Sequence, residues 1–344
     1  MQPRVRLAAA LALTLAALPA AAAAAPWGPA QPVPGLPPGA TTPAVTVDAS
    51  GRAEAFLVYG RVVRVASRGP KAVRWRVGTS LLRKPVAQLL RPSLAVARSG
   101  AAVATWRRGS TLRAALRAGP GAAFGPPVIL SRGAGEWHEA VNEAGAAAVV
   151  YEAGGQSWLA LRPAGAAAFG PPESLDPSGG TSPAVTLTSG GEAVLAWEAS
   201  AGLATAVRPP AGPIGPPSSL PDAGDDPRLG VDGADLVTLV ANYQGNLTAS
   251  TRPAGGAFTT PETVVTADFE GASEEICCHR LVVDSAGVAA LSYGGTAHGG
   301  VNYEAVQVRL RPGTAWRAQL RVIDDYVDFD TGFVTPTASH VALG

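Results

Sequence analysis

Short apolar runs rich in Val, Leu and Ala recur along the chain, each closed by glycine or proline. Runs of this length between turn residues predict β-strands and not helices. An aromatic ends one such run in nearly every cycle: Tyr59, Trp106, Tyr151, Trp197 and Tyr243, with Tyr293 slightly late. The gaps are 47, 45, 46, 46 and 50 residues, a near-constant period. A fixed period of this size marks a repeat protein whose units bury their faces against one another. Four short strands fit each unit, which predicts an all-β fold: a β-propeller of four-stranded antiparallel blades.

The strands follow one order. Strand a begins at a proline or its equivalent, at Pro43, Pro92, His138, Pro183, Pro227, His279 and Pro336. A glycine turn follows, as at Ser99-Gly100 and Gly190-Gly191, and strand b then runs into the aromatic, as in Ala193-Val-Leu-Ala-Trp197. Strand c ends in Arg-Pro in four units, at Arg162, Arg208, Arg252 and Arg311. Strand d opens with sequences such as Phe124-Gly-Pro-Pro and Ile214-Gly-Pro-Pro, which suit an outer edge where a missing N–H breaks no ladder. Trp27–Val33 matches an additional strand d and Val334–Pro336 the start of a seventh strand a. The count is six complete units plus partial strands of a seventh. It fits a seven-blade design cut short by about 30 residues, the favoured expectation, or a six-blade ring with ragged ends.

Residues 1–25 stand apart from this pattern: Arg4 and Arg6 precede an apolar stretch and then an alanine run with A-x-A sites. They are expected to be a cleaved signal peptide, leaving 26–344 as a secreted propeller. No later segment has the roughly 18 apolar residues of a membrane span. Net charge is +1, so neither nucleic acid nor an anionic membrane is an expected partner. The two cysteines are adjacent, Cys277 and Cys278. In an exported chain they form either a strained vicinal disulfide or two free thiols, with intermolecular pairing a third option.

From Pro26 to Gly344 the chain resembles the secreted bacterial β-propeller repeat proteins, through the strand b aromatic, the Arg-Pro after strand c and the Phe-Gly-Pro-Pro opening of strand d. The resemblance implies the fold and carries no chemistry. The sialidase box is not met: Asp48-Ala-Ser-Gly51 and Asp284-Ser-Ala-Gly287 lie between strands a and b and lack its Trp.

Candidate chemistry sits in the d-to-a connections, which open onto one face of a propeller. The third carries Glu136, Trp137, His138 and Glu139, the fifth Asp225 and Asp226, the sixth Cys277, Cys278 and His279, and the seventh Asp328 and Asp330. The ligand-binding candidates are Glu136, Trp137, His138, Glu139 and His279, with Trp137 as the candidate exposed aromatic. Asp225, Asp226, Asp328 and Asp330 are metal candidates, with Ca²⁺ the cation that carboxylate oxygens suit. The bland reading is that loops collect polar residues because water solvates them. Two functions remain. One is a non-enzymatic binding or scaffolding module that holds a glycan, peptide or envelope protein. The other is a metal-assisted lyase or hydrolase using His138, His279 and acidic loop residues.

Overall fold

The computed structural model describes residues 41–47, 50–59, 62–80, 89–120, 122–266, 268–269, 272–273, 275–297, 301–309, 314–316 and 320–325. The chain divides into Met1–Val33 and Pro34–Gly344, and every described residue belongs to the second unit. The expected signal peptide, the partial strands at Trp27–Val33 and Val334–Pro336, and Asp328 and Asp330 lie outside the described residues.

The described chain carries strands and no helix. Thr41–Val47 (β1), Ala53–Tyr59 (β2), Val62–Arg68 (β3) and Arg76–Ser80 (β4) form the first sheet. The second is Leu89–Val96 (β5), Ala102–Arg108 (β6), Thr111–Arg117 (β7) and Val128–Ser131 (β8). Ala134–Val141 (β9), Ala147–Ala153 (β10), Gln156–Arg162 (β11) and Glu173–Ser174 (β12) form the third. Thr181–Leu187 (β13), Ala193–Ala199 (β14), Gly202–Arg208 (β15) and Ser218–Leu220 (β16) form the fourth. Asp225–Val231 (β17), Val237–Tyr243 (β18), Asn246–Arg252 (β19) and Glu262–Val265 (β20) form the fifth. After a small hairpin, Asp268–Phe269 (β21) with Ala272–Ser273 (β22), the sixth comprises Glu275–Val283 (β23), Ala289–Ala297 (β24), Val301–Arg309 (β25) and Leu320–Asp325 (β26).

Each sheet is a four-stranded antiparallel meander in chain order, the a-b-c-d blade that the period predicts. First strands lie side by side in sequence: β1 against β5, β5 against β9, β9 against β13, β13 against β17 and β17 against β23. The fold is a β-propeller, with six four-stranded blades among the described residues.

A blade in the middle of such a stack has two faces to bury, so strand b is apolar at nearly every position instead of alternating. β10, β14 and β18 each begin with five consecutive buried residues. Five of the six core clusters among the described residues therefore straddle a blade boundary; the sixth, Ala55, Leu57 and Ala66, lies within blade 1. Val150, Leu159 and Leu161 of blade 3 pack with Leu187, Leu195 and Trp197 of blade 4, and Val240 and Leu247 of blade 5 with Leu291 and Tyr293 of blade 6. Small side chains such as Ala147, Ala148, Ala193 and Ala196 let adjacent sheets approach, and the strand b aromatic fills the gap that widens beyond them.

Register refines the repeat. The first residue of strand b pairs with the last of strand a in every blade, for example Ala193 with Leu187 and Val237 with Val231. Counted from there, Trp106, Tyr151, Trp197 and Tyr293 share one position, but blades 1 and 5 fill it with Leu57 and Ala241. Tyr59 and Tyr243 come two residues later on the same strand face, and the sequence period merges the two positions.

Arginines at the end of strand c tie blades 2, 4, 5 and 6 to the blade before, while Arg162 bonds Gly145 of its own blade; in blade 6 Arg309, and not Arg311, ends the strand. Arg117 Nη1 donates to Glu54 Oε1 at 2.8 Å, with Nη2 2.6 Å from Oε2. Arg252 reaches Glu192 at 3.0 Å, and Arg309 reaches Thr238. Both partners of the Arg117–Glu54 pair are almost fully buried (4% and 3% side-chain exposure), so each charge depends on the other. Truncating one partner of such a pair leaves a buried charge uncompensated, at a cost of about 3–5 kcal/mol. Glu54→Ala is expected to lose stability in that range in urea unfolding. The double replacement Glu54→Leu with Arg117→Met should recover most of it, and failure to recover would assign the loss to packing.

Candidate functional site

Strand a builds the site, and its register fixes which side chains are equivalent. Four residues before its end stand Pro43, Pro92, Trp137, Pro183, Pro227 and His279. One residue later stand Ala44, Ser93, His138, Ala184, Arg228 and Arg280. The expectation that His138 is equivalent to the prolines and to His279 is thus corrected: Trp137 holds that position. A one-residue offset along a strand reverses the face, so His138 and His279 leave opposite faces of their blades. The strand b aromatic marks the same offset in the sequence: Trp137 precedes Tyr151 by 14 residues, as Pro92 precedes Trp106, Pro183 Trp197 and His279 Tyr293.

Trp137 is also not an exposed platform. It is buried at 7% exposure, its indole N–H donates to Thr105 Oγ1 at 2.9 Å, and the Arg107 guanidinium stacks 5.8 Å from its ring. Arg107 in turn donates to the carbonyls of Ala134 and Gly135, both at 3.0 Å, which holds the start of β9 against blade 2. Glu139 leaves the same face as Trp137. It accepts from Ser93 Oγ and, at 2.8 Å, from Thr105 Oγ1. Glu139 is thus half-buried in the seam between blades 2 and 3. Burial pushes its carboxyl up to about 7, against the opposing pull of Ser93, Thr105 and the Arg280 charge.

Blades 4 and 5 share a second device. Ser182 and Asp226 occupy the same position and both hold a left-handed backbone, φ 47°. Each exposes its amide to a glutamate near the end of strand b of the preceding blade: Ser182 N donates to Glu152 Oε1 at 2.6 Å and Asp226 N to Glu198 Oε1 at 2.9 Å. A register shift lies beside each, between Thr181 and Ala184 and between Asp225 and Arg228. Such bulges turn side chains away from the regular pleat. Gly224, just before Asp225, has φ 95°, and a β-carbon there would collide with the carbonyl of Asn242.

The acidic residues are engaged with their neighbours. Arg228 Nη1 lies 2.8 Å from Asp226 Oδ1, and His279 Nδ1 lies 3.7 Å from Asp226 Oδ2. Burial raises Asp226; Arg228 opposes the rise, while Glu136 and Glu198 add to it. Burial raises Asp225 as well, reinforced by Glu198 and Asp226. Burial also works to raise Glu198, but its donors Asp226 N–H, Ser182 and Thr181, with the Arg228 charge, together hold it below the ordinary range. Glu136 of blade 3 therefore acts on Asp226 of blade 5 across blade 4, and Arg280 of blade 6 acts on Glu139 of blade 3.

Among the described residues no three or more His, Cys, Asp and Glu side chains assemble as metal ligands. Cys277 and Cys278 lie within β23, Cys277 paired with Gly294; their side chains are outside the described set. The catalytic alternative needed both imidazoles and two carboxylates together, and the register sets the imidazoles on opposite faces. Ser93, Thr105, Glu152, Glu198, Arg228 and Arg280 were missed as site residues. The signal for two of them was in the chain, an acid directly after the aromatic in Tyr151-Glu152 and Trp197-Glu198.

No protein-family model and no curated protein sequence matches the chain. Among solved structures it is similar to a protein of unknown function from Dyadobacter fermentans (12% identity, TM-score 0.54, covering 78% of this chain and 94% of that one). It is similar also to a mutant of AofleA from Arthrobotrys oligospora (12% identity, TM-score 0.51, covering 81% and 85%). A third is the Aleuria aurantia lectin, in complex with Fucα1-6GlcNAc (13% identity, TM-score 0.49, covering 82% and 94%). At these identities the likeness is one of fold.

Burial, with the nearby Arg228 charge, depresses His279 to about 3 from an ordinary 6.5. The unfolded chain then binds the extra proton between those values, so stability rises with pH across that window and is lost as pH falls through it. His279→Gln should flatten the slope of unfolding free energy between pH 4 and 6.5 by up to about 1.4 kcal/mol per pH unit. An unchanged slope in urea titrations would remove His279 as its source.

Proposed function

We propose that this chain is a secreted, non-enzymatic binding propeller, and that the start of strand a in blades 3 to 5 receives an extracellular glycan. One observation supports this reading above others. Blades 3 and 5 place Glu136 and Asp226 at equivalent positions on either side of blade 4, which offers the small Ser182 and Ala184 in the matching places. Asp225 and Arg228 extend the same rim. Carboxylate acceptors and a guanidinium donor flanking a stretch of small residues suit a polyhydroxyl ligand, whose hydroxyls both donate and accept.

The backbone beneath is preset. Ser182 and Asp226 hold left-handed conformations with Glu152 and Glu198 bound to their amides. A rim ordered in advance loses little entropy on binding. With Trp137 buried, recognition rests on hydrogen bonds and not on stacking against that ring.

Glycan-array screening of the secreted protein, followed by calorimetry on the best sugar, tests the reading. Glu136→Gln and Arg228→Ala are each expected to weaken binding about tenfold, the loss of a charge-assisted hydrogen bond. Absence of any sugar binding, or binding untouched by both substitutions, would sink it. Turnover of the sugar into a product would replace binding by catalysis.

A further inference from the structure

Two residues before the end of strand a, opposite the third residue of strand b, five blades carry an aliphatic residue: Val45, Leu94, Val185, Leu229 and Leu281. Blade 3 carries Glu139. Facing it, at the fourth position of strand b in blade 2, is a fully buried Thr105, where blades 3, 4 and 5 have Val150, Ala196 and Val240. An apolar seam has thus been replaced at one boundary by a connected polar chain. Trp137 donates to Thr105, Thr105 donates to Glu139, and Ser93 donates to the other carboxylate oxygen. Stability does not call for it, since aliphatic pairs serve the seams between blades 3 and 4, 4 and 5, and 5 and 6.

We propose that Glu139 is a proton-operated latch in the seam between blades 2 and 3. Ionised, it accepts both hydroxyls and locks Ser93, Thr105 and Trp137 into one direction of donation. On taking a proton from water, the neutral carboxyl has one O–H of its own to donate. One hydroxyl must then turn its hydrogen away to accept, so the direction of bonding reverses at that arm. The seam simultaneously loses the negative charge on which Arg280 acts.

The transition falls near neutral pH, because burial pushes Glu139 up to about 7 against Ser93, Thr105 and Arg280. Other charged or titratable groups on the elements packed around it are Glu136 and His138 on its own strand, Arg107 and Arg108 on β6, and Tyr151 and Glu152 on β10. Strand β5 adds Arg91, and β13 adds none. A folded value above the ordinary 4.5 means the folded chain keeps this proton longer. This contribution to stability is fully present below about 4.5 and is lost as pH rises through about 7.

The test is ¹⁵N NMR of the Trp137 indole N–H in the full chain from pH 5 to 8.5, the resonance assigned by its loss in Trp137→Phe. The resonance is expected to titrate with a midpoint within about one unit of neutrality, the general scale of environmental shifts. It should stay flat in Glu139→Gln and still titrate in His138→Asn. Ser93→Ala, which removes one donor to the charged form, should move the midpoint upward, and this variant serves if Glu139→Gln does not fold. A flat resonance in the wild type, titration persisting in Glu139→Gln, titration lost in His138→Asn, or a midpoint unmoved or lowered in Ser93→Ala would each overturn the latch.

Discussion

Everything in this propeller depends on strand b being apolar on both sides. A sheet that is solvated on one face can stand with a single neighbour, but a blade whose second strand buries five residues in a row cannot. Trp106, Trp197, Leu195 and Leu239 have essentially no exposure, and each is covered by the next or the previous sheet. The core is therefore a series of seams between sheets, and a blade has no core of its own. Stability in such an arrangement is a sum of unit and neighbour terms.

The polar ties follow the same logic. Arg117, Arg252 and Arg309 end strand c and bond to the preceding blade. At the a-to-b turns, Glu143 accepts from the amides of Arg98 and Ser99, and Asp235 from the amide and hydroxyl of Ser189. At the mouth, Glu152 and Glu198 fix the first residues of the blade that follows. The side chains that hold the rim therefore come from the same boundaries that hold the ring, and the rim inherits their rigidity.

The architecture was legible because it repeats: short apolar runs, glycine turns and the Phe-Gly-Pro-Pro edge each recur with one spacing, and chance does not preserve phase over six units. Alignment within a unit was less legible. Tyr59 and Tyr243 share a strand face with the true aromatic position two residues earlier, so a hydrophobic pattern cannot tell them from it. The one-residue displacement of His138 reverses its face, and only counting back from Tyr151 marks it. The influence of Glu136 on Asp226, and of Arg280 on Glu139, comes from how blades are set beside one another, and no local pattern in the chain announces it.

The glutamate caps have a consequence for how such a chain diversifies. The amide of Ser182 is bound by a side chain that belongs to the repeat before it, and Asp226 likewise. The genetic repeat and the mechanical unit are thus out of phase: what works together is the end of one strand b and the start of the next strand a. A blade exchanged between two such proteins at its loop boundaries would bring its rim without the carboxylate that sets it. New specificities in this scaffold arise more readily by recombination within strand b than by shuffling whole blades, since that cut keeps each cap with the residue it holds.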